Sequence, residues 1–185
     1  MTRPDLHKEL ADAGAATTLL HFRHLVALGV PRATLAAQRV DSWGWGVVNA
    51  IDVDDGLYAP GDGPLHLVLP VWDGHDLIDL VAFRSGNPTG WRLRNGHGLA
   101  LGLERGLERH HWEEEVELTT TPLDWLRNGA DGLCIVDWDA PELHMLATLP
   151  RIVCPDQQCA TQLRRALIRP QHLPQISIKE TRLAA

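Results

Sequence analysis

Between Val116 and Leu167 short apolar runs alternate with stretches of helical spacing, and this alternation limits the chain's fold more than any other feature. The pattern predicts a strand over Val116–Leu118, a helix over Pro122–Asn128 and a strand over Gly132–Asp137. A helix over Pro141–Leu146, a strand over Arg151–Cys154 and a helix over Asp156–Ile168 follow. Strands joined by helices of this length form a parallel sheet with right-handed crossovers. Ligands of such sheets gather at the carboxyl ends of the strands. Those ends carry Thr119-Thr120-Thr121, Asp137-Trp138-Asp139 and Asp156-Gln157-Gln158.

The residues before this stretch divide in two. Residues 1–40 read as helical: Pro4 suits a first helical turn, and Leu6, Leu10 and Ala13 follow at helical spacing until Gly14 breaks the run. A second helix is expected from Thr17 to Leu28, ended by Gly29 in a left-handed cap, and a third from Pro31 to Gln38. Residues 41–103 read as an antiparallel meander. Trp43–Val53, Leu65–Val71, Leu77–Arg84, Trp91–Arg94 and Leu99–Leu103 are its strands. Asp73-Gly74 signals a hairpin, Ser85–Gly90 a turn, and Pro70 places a strand end at an edge. Residues 104–185 form the α/β region, closing with an edge strand over Gln175–Ile178. The class is α/β, α+β overall, with the helices and meander covering the parallel sheet.

A chain of 185 residues with 44% hydrophobic residues supports one core. Its formal charge of −7 argues against sequence-independent nucleic-acid binding by the whole surface. The charge is uneven. Glu104–Asp156 holds twelve acidic residues against four basic, whereas Ala160–Ala185 holds five basic residues against Glu180. Arg164, Arg165 and Arg169 in that basic end are the candidate contacts to DNA or an acidic partner protein, and a solvated helix face is the plainer alternative. Three cysteines and no signal peptide indicate free thiols in the cytoplasm. No apolar run is long enough to span a membrane.

Several local patterns carry a chemical suggestion and a structural one. Leu25–Leu35, with Leu28-Gly29-Val30 at its centre, resembles the turn of a helix-turn-helix, but its second helix is Ala-rich and its basic residues are Arg32 and Arg39. His21 and His24 are one helical turn apart, yet no third metal ligand accompanies them. Adjacent His110 and His111 point in different directions. Gly96–Gly102 lacks the ending of a phosphate loop and reads as hairpin glycines. Cys154 and Cys159 have poor zinc companions in Cys134 and His172.

The segment Leu118–Leu167 resembles the Toprim domain of primases and topoisomerases. That family's pattern has a strand ending in Glu-Gly-x-x-Asp, a helix, a Gly before a second strand, and a third strand ending in Asp-x-Asp. Thr120-Thr121-Pro122-Leu123-Asp124 stands where the first motif would be, and Asp156-Gln157-Gln158 where the second would be. The upstream segments His24–Val30 and Gly98–Gly102 are similar to the region before Toprim in plasmid and phage primases. The resemblance implies a nucleotidyl-transfer fold in which the Glu works as acid or base and the Asp pair holds magnesium. Here the Glu position is Thr120 and the second Asp is Gln158, so only Asp124 and Asp156 remain of that set. A hydroxyl and a neutral amide supply neither the charge nor the proton transfer of carboxylates. The expectation is therefore a site without catalysis and without a cofactor, save weak magnesium binding.

Asp137, Asp139 and Asp156 offer another arrangement, a carboxylate cluster at the sheet's carboxyl edge that would serve a magnesium-dependent phosphoesterase. The competing reading makes Thr121, Asp139 and Asp156 helix caps. Three functions follow in order: an accessory protein of DNA metabolism or a mobile element with a decayed Toprim-like site, a protein-interaction module without a nucleic-acid role, and the phosphoesterase.

Overall fold

The longest element among the described residues is a strand of 16 residues. The computed structural model of the chain describes residues 4–40, 44–53, 56–104, 107 and 115–168. Four antiparallel strands pair in chain order: β1 (Gly46–Asp52), β2 (Tyr58–Asp73), β3 (Asp76–Arg84) and β4 (Asn87–Leu93). Gly74, at φ +56°, makes the β2–β3 turn that the Asp73-Gly74 pair predicts. The β3–β4 turn is shorter than expected, because Arg84 already pairs with Asn87. Pro88 is tolerated in β4 because that strand lies at the sheet edge. Pro70 lies inside β2 opposite Leu80, past the point where β1 ends its pairing at Val68.

Residues 66–71 of β2 and 79–83 of β3 are all buried, so the meander is covered on both faces. This explains why Leu65–Val71 reads as a continuous apolar run instead of an alternation. On one face Val68, Leu80 and Ala82 meet Leu6 and Leu10 of α1 (Leu6–Ala15). On the other, Leu67, Leu69, Val81 and Phe83 meet residues of α2 (Leu19–Ala27), α3 (Arg32–Val40) and the C-terminal region. The meander is thus the middle layer, and its expected role as a cover is reversed.

Asp5 caps α1, accepting from the Lys8 N–H at 3.1 Å, and the helix ends one residue after Gly14. Gly29, at φ +94°, follows α2 as predicted.

Asp79 is fully buried in β3 among apolar neighbours. Its Oδ1 accepts the backbone N–H groups of Leu80 (2.7 Å), Arg94 (2.9 Å) and Asn95 (2.9 Å), and its Oδ2 accepts that of His97 (2.8 Å). One carboxylate therefore satisfies the donors of the loop that leaves β4. Arg94 extends the tie outward, donating from Nε and Nη2 to the two carboxylate oxygens of Glu9 on α1 at 2.7 and 2.9 Å. The buried Tyr58 hydroxyl stays protonated beside them, its pKa pushed well up by burial and then by the charge of Glu9.

The loop delivers β5 (Ala100–Leu101), which leaves the meander instead of extending it and pairs antiparallel with β7 (Cys134–Ile135). β7 bridges in parallel to Leu118, and β6 (Val116–Glu117) pairs in parallel with β8 (Ile152–Val153). Backbone bonds from Thr119 N to Leu133 O and from Leu118 N to Val153 O, both 2.8 Å, join the strands in the order β5–β7–β6–β8. The connections are α4 (Pro122–Arg127) and a 3-10 helix (Pro141–Thr148), and α5 (Gln157–Ile168) follows β8. The expected α-helix at Pro141–Leu146 is the tighter 3-10 form, and Asp139 does not cap it: Ala140 holds that position. Gly132, at φ +74°, lets β7 reach β6, since a Cβ there would lie 2.4 Å from the Glu117 carbonyl oxygen. The predicted strand Gln175–Ile178, Arg169, His172 and His110–His111 lie outside the described residues.

Replacing Asp79 by Ala would take this acceptor from the Leu80, Asn95 and His97 N–H groups, while the Arg94 N–H keeps the Leu80 carbonyl at 2.9 Å. A loss of about 3 kcal/mol or more is expected from urea denaturation with an unchanged slope. A loss under about 1 kcal/mol would mean that water satisfies these donors equally well.

Candidate site at the carboxyl edge of the parallel strands

β6 lies between β7 and β8. The chain crosses from β6 through α4 to β7 on one side, then returns past β6 to β8 on the other. The gap between the carboxyl ends of β6 and β8 is therefore a topological switch point, where crevices open in parallel sheets. A cleft of about 390 Å³ lies there. Glu117, Leu118 and Thr119 from β6, Val153, Cys154 and Pro155 from β8, and Asp124, Arg127 and Asn128 from α4 and its end line it.

The polar groups of the cleft hold one another. Thr121 caps α4: its hydroxyl accepts from the Asp124 N–H at 3.1 Å and donates to Asp124 Oδ2 at 2.7 Å. Asp124 Oδ1 accepts from Arg127 Nη1 at 3.0 Å, and Arg127 Nε donates to the Leu28 carbonyl at 2.8 Å. The turn between α2 and α3 is thereby fastened to the cleft wall. Asn128 Nδ2 donates to Glu117 Oε2 at 3.4 Å and to the Asp131 carbonyl at 3.3 Å. Both oxygens of Asp124 are thus engaged, and the cleft is a preformed polar surface with one cation and two carboxylates.

The residues singled out in sequence fall unevenly around it. Asp124 lines the cleft, whereas Thr120 is exposed in the turn between β6 and α4. Asp156 and Gln158 are exposed beyond β8, and Asp156 Oδ1 caps α5 by accepting the Cys159 N–H at 2.7 Å. Asp137 accepts the Asp139 N–H at 2.9 Å at the end of β7. β6 separates these two aspartates from Asp156, a distance of two strand spacings, roughly 10 Å. Among the described residues no group of three or more His, Cys, Asp or Glu is placed to hold a metal ion. A hydroxyl, an amide and a capping carboxylate do not fit magnesium, which demands oxygen ligands in near-octahedral geometry. His21 and His24 do not converge either: His21 Nδ1 meets the Thr18 N–H at 3.2 Å, and His24 Nε2 meets the Ser85 hydroxyl at 3.0 Å. Arg164 and Arg165 are exposed on α5.

Sequence reasoning passed over Glu117, Arg127 and Asn128 as cleft residues. Glu117 carries a readable signal, a charged residue between buried Val116 and Leu118 on a strand near the carboxyl edge. Arg127 and Asn128 read only as a helix end, since their partners Leu28 and Glu117 are distant in sequence.

Among the described residues no helix is long and apolar enough to cross a membrane. Comparison with protein-family models, curated proteins and solved structures finds no match to this chain.

Cys134 is the first residue of β7, and burial pushes its thiol up to about 12 from an ordinary value of 9.0. Between these two values the unfolded chain gives up a proton that the folded chain retains, so stability falls as pH rises through that window. Unfolding free energies measured across it are expected to decline less steeply in a Cys134→Val variant. Parallel curves for the two proteins would contradict the assignment.

Proposed function

We propose that the chain is a Toprim-like accessory module of DNA metabolism or a mobile element, cytoplasmic, whose metal site has decayed and which acts by binding. The observation that carries this reading is the switch-point cleft itself. It lies between the first and third strands of a β-α-β-α-β series, at the carboxyl edge where the Toprim pattern keeps its acidic groups. The residues at those positions are Thr120 and Gln158 in place of carboxylates, with Asp124 held by the Thr121 hydroxyl and Arg127 and Asp156 occupied in a helix cap. An occupied, hydrogen-bonded polar surface suits recognition, whereas general acid or base catalysis needs a carboxylate free to exchange its proton. Arg164 and Arg165 on α5 supply the exposed cations for a polyanion. The phosphoesterase alternative loses support, because β6 stands between Asp137 and Asp139 on one side and Asp156 on the other.

Filter binding at about 50 mM salt, where phosphate contacts are strongest, tests the proposal. Retention of single- or double-stranded DNA is expected, and Arg164→Ala with Arg165→Ala should lower the salt slope by about 2. No retention of either form would remove direct nucleic-acid binding and leave the protein-interaction reading.

A further inference from the structure

The C-terminal region brings two thiols to one corner of the fold. Cys154 follows β8 and lines the cleft, half-buried. Cys159 is in the first turn of α5 and is buried in the apolar cluster that also packs against Cys154. The Asp156 cap folds the intervening residues back, since the same N–H that it holds at 2.7 Å belongs to Cys159. Cys134, the third thiol, opens β7 and is fully buried in the other apolar cluster.

We propose that Cys154 and Cys159 form a thiol pair that closes to a disulfide on reaction with a small-molecule disulfide, with Cys154 as the attacking group. The assignment of roles follows from exposure. A thiol on a cleft wall meets a reagent from solvent, whereas a buried one meets only its neighbour. The Cys154 thiolate attacks one sulfur of the reagent disulfide, forming a mixed disulfide and releasing the first thiolate. Cys159 then loses its proton and attacks the Cys154 sulfur, and the second thiolate leaves. Two protein thiols are oxidised, one disulfide is reduced to two thiols, and the bond joins the carboxyl end of β8 to α5. Burial, and after it the neighbouring Cys154 charge, together raise the Cys159 thiol to about 12. Capping Cys154 as a mixed disulfide removes that charge, so the first step eases the second. The proposal concerns a modification site and stands independently of the nucleic-acid reading.

The full chain is equilibrated with mixtures of oxidised and reduced glutathione, blocked with a maleimide under denaturing conditions, digested and weighed. The expected result is a peptide containing Cys154 and Cys159 that has lost two hydrogens and takes no maleimide, with Cys134 fully blocked. Cys159→Ser should trap glutathione on Cys154, and Cys154→Ser should leave Cys159 reduced. If the wild-type peptide stays reduced throughout, or carries glutathione on Cys154 without closing, the proposal is overturned. Circular dichroism of each variant shows whether it folds, and the wild-type result decides the matter if one does not.

Discussion

A single buried carboxylate organises this molecule. Asp79 sits in the most enclosed part of the meander and takes four backbone N–H groups, three of them from the loop leaving β4. A loop that crosses a sheet face would otherwise bury donors without partners, each a desolvation cost of about 1–3 kcal/mol. With them satisfied, the chain after β4 turns directly onto the sheet and enters β5. β5 pairs with β7, and β7 lies beside β6, so the position of the parallel strands descends from that turn. Arg94 and Glu9 tie the same loop to α1 and link the two coverings of the meander.

Close backbone approach completes the junction. Gly132 admits the Glu117 carbonyl, and Trp125 Nε1 donates to the Gly132 carbonyl at 3.1 Å. Trp91 Nε1 reaches across to the Val136 carbonyl at 2.8 Å, joining β4 to the end of β7. Two of the seven tryptophans thus fill the interface between the sheets while their one donor satisfies a strand-end carbonyl. The cleft between β6 and β8 is the opening left where the strands diverge, and Arg127 braces it against the α2–α3 turn.

Local signals in the sequence proved readable where their partners are local. The Asp73-Gly74 hairpin, the Gly29 helix end and the Thr121 and Asp156 caps each depend on residues within a few positions. Layering was not readable. Leu65–Val71 has the apolar run of a strand buried on both faces, but nothing local says that α1 lies on one side and α2 and α3 on the other. Asp79 looked like one polar residue in the strand Leu77–Arg84, because its partners lie 15 to 18 residues further on. The carboxyl-edge position of the site followed from the alternation of strands and helices. Its polar lining did not, since Glu117 and Asn128 meet only after the chain has crossed from β6 through α4.

The functional account rests on what stands at the ends of β6 and β8. Carboxylates there would hold a hard divalent cation, whereas Thr120 and Gln158 cannot supply its charge. Magnesium titration calorimetry on the wild-type chain and on a Thr120→Glu/Gln158→Asp variant reads this directly. The account predicts no saturable heat for the wild type at about millimolar magnesium and a saturable isotherm once both carboxylates are restored. A wild-type isotherm that disappears in Asp156→Ala would contradict it, showing a working metal site at this edge.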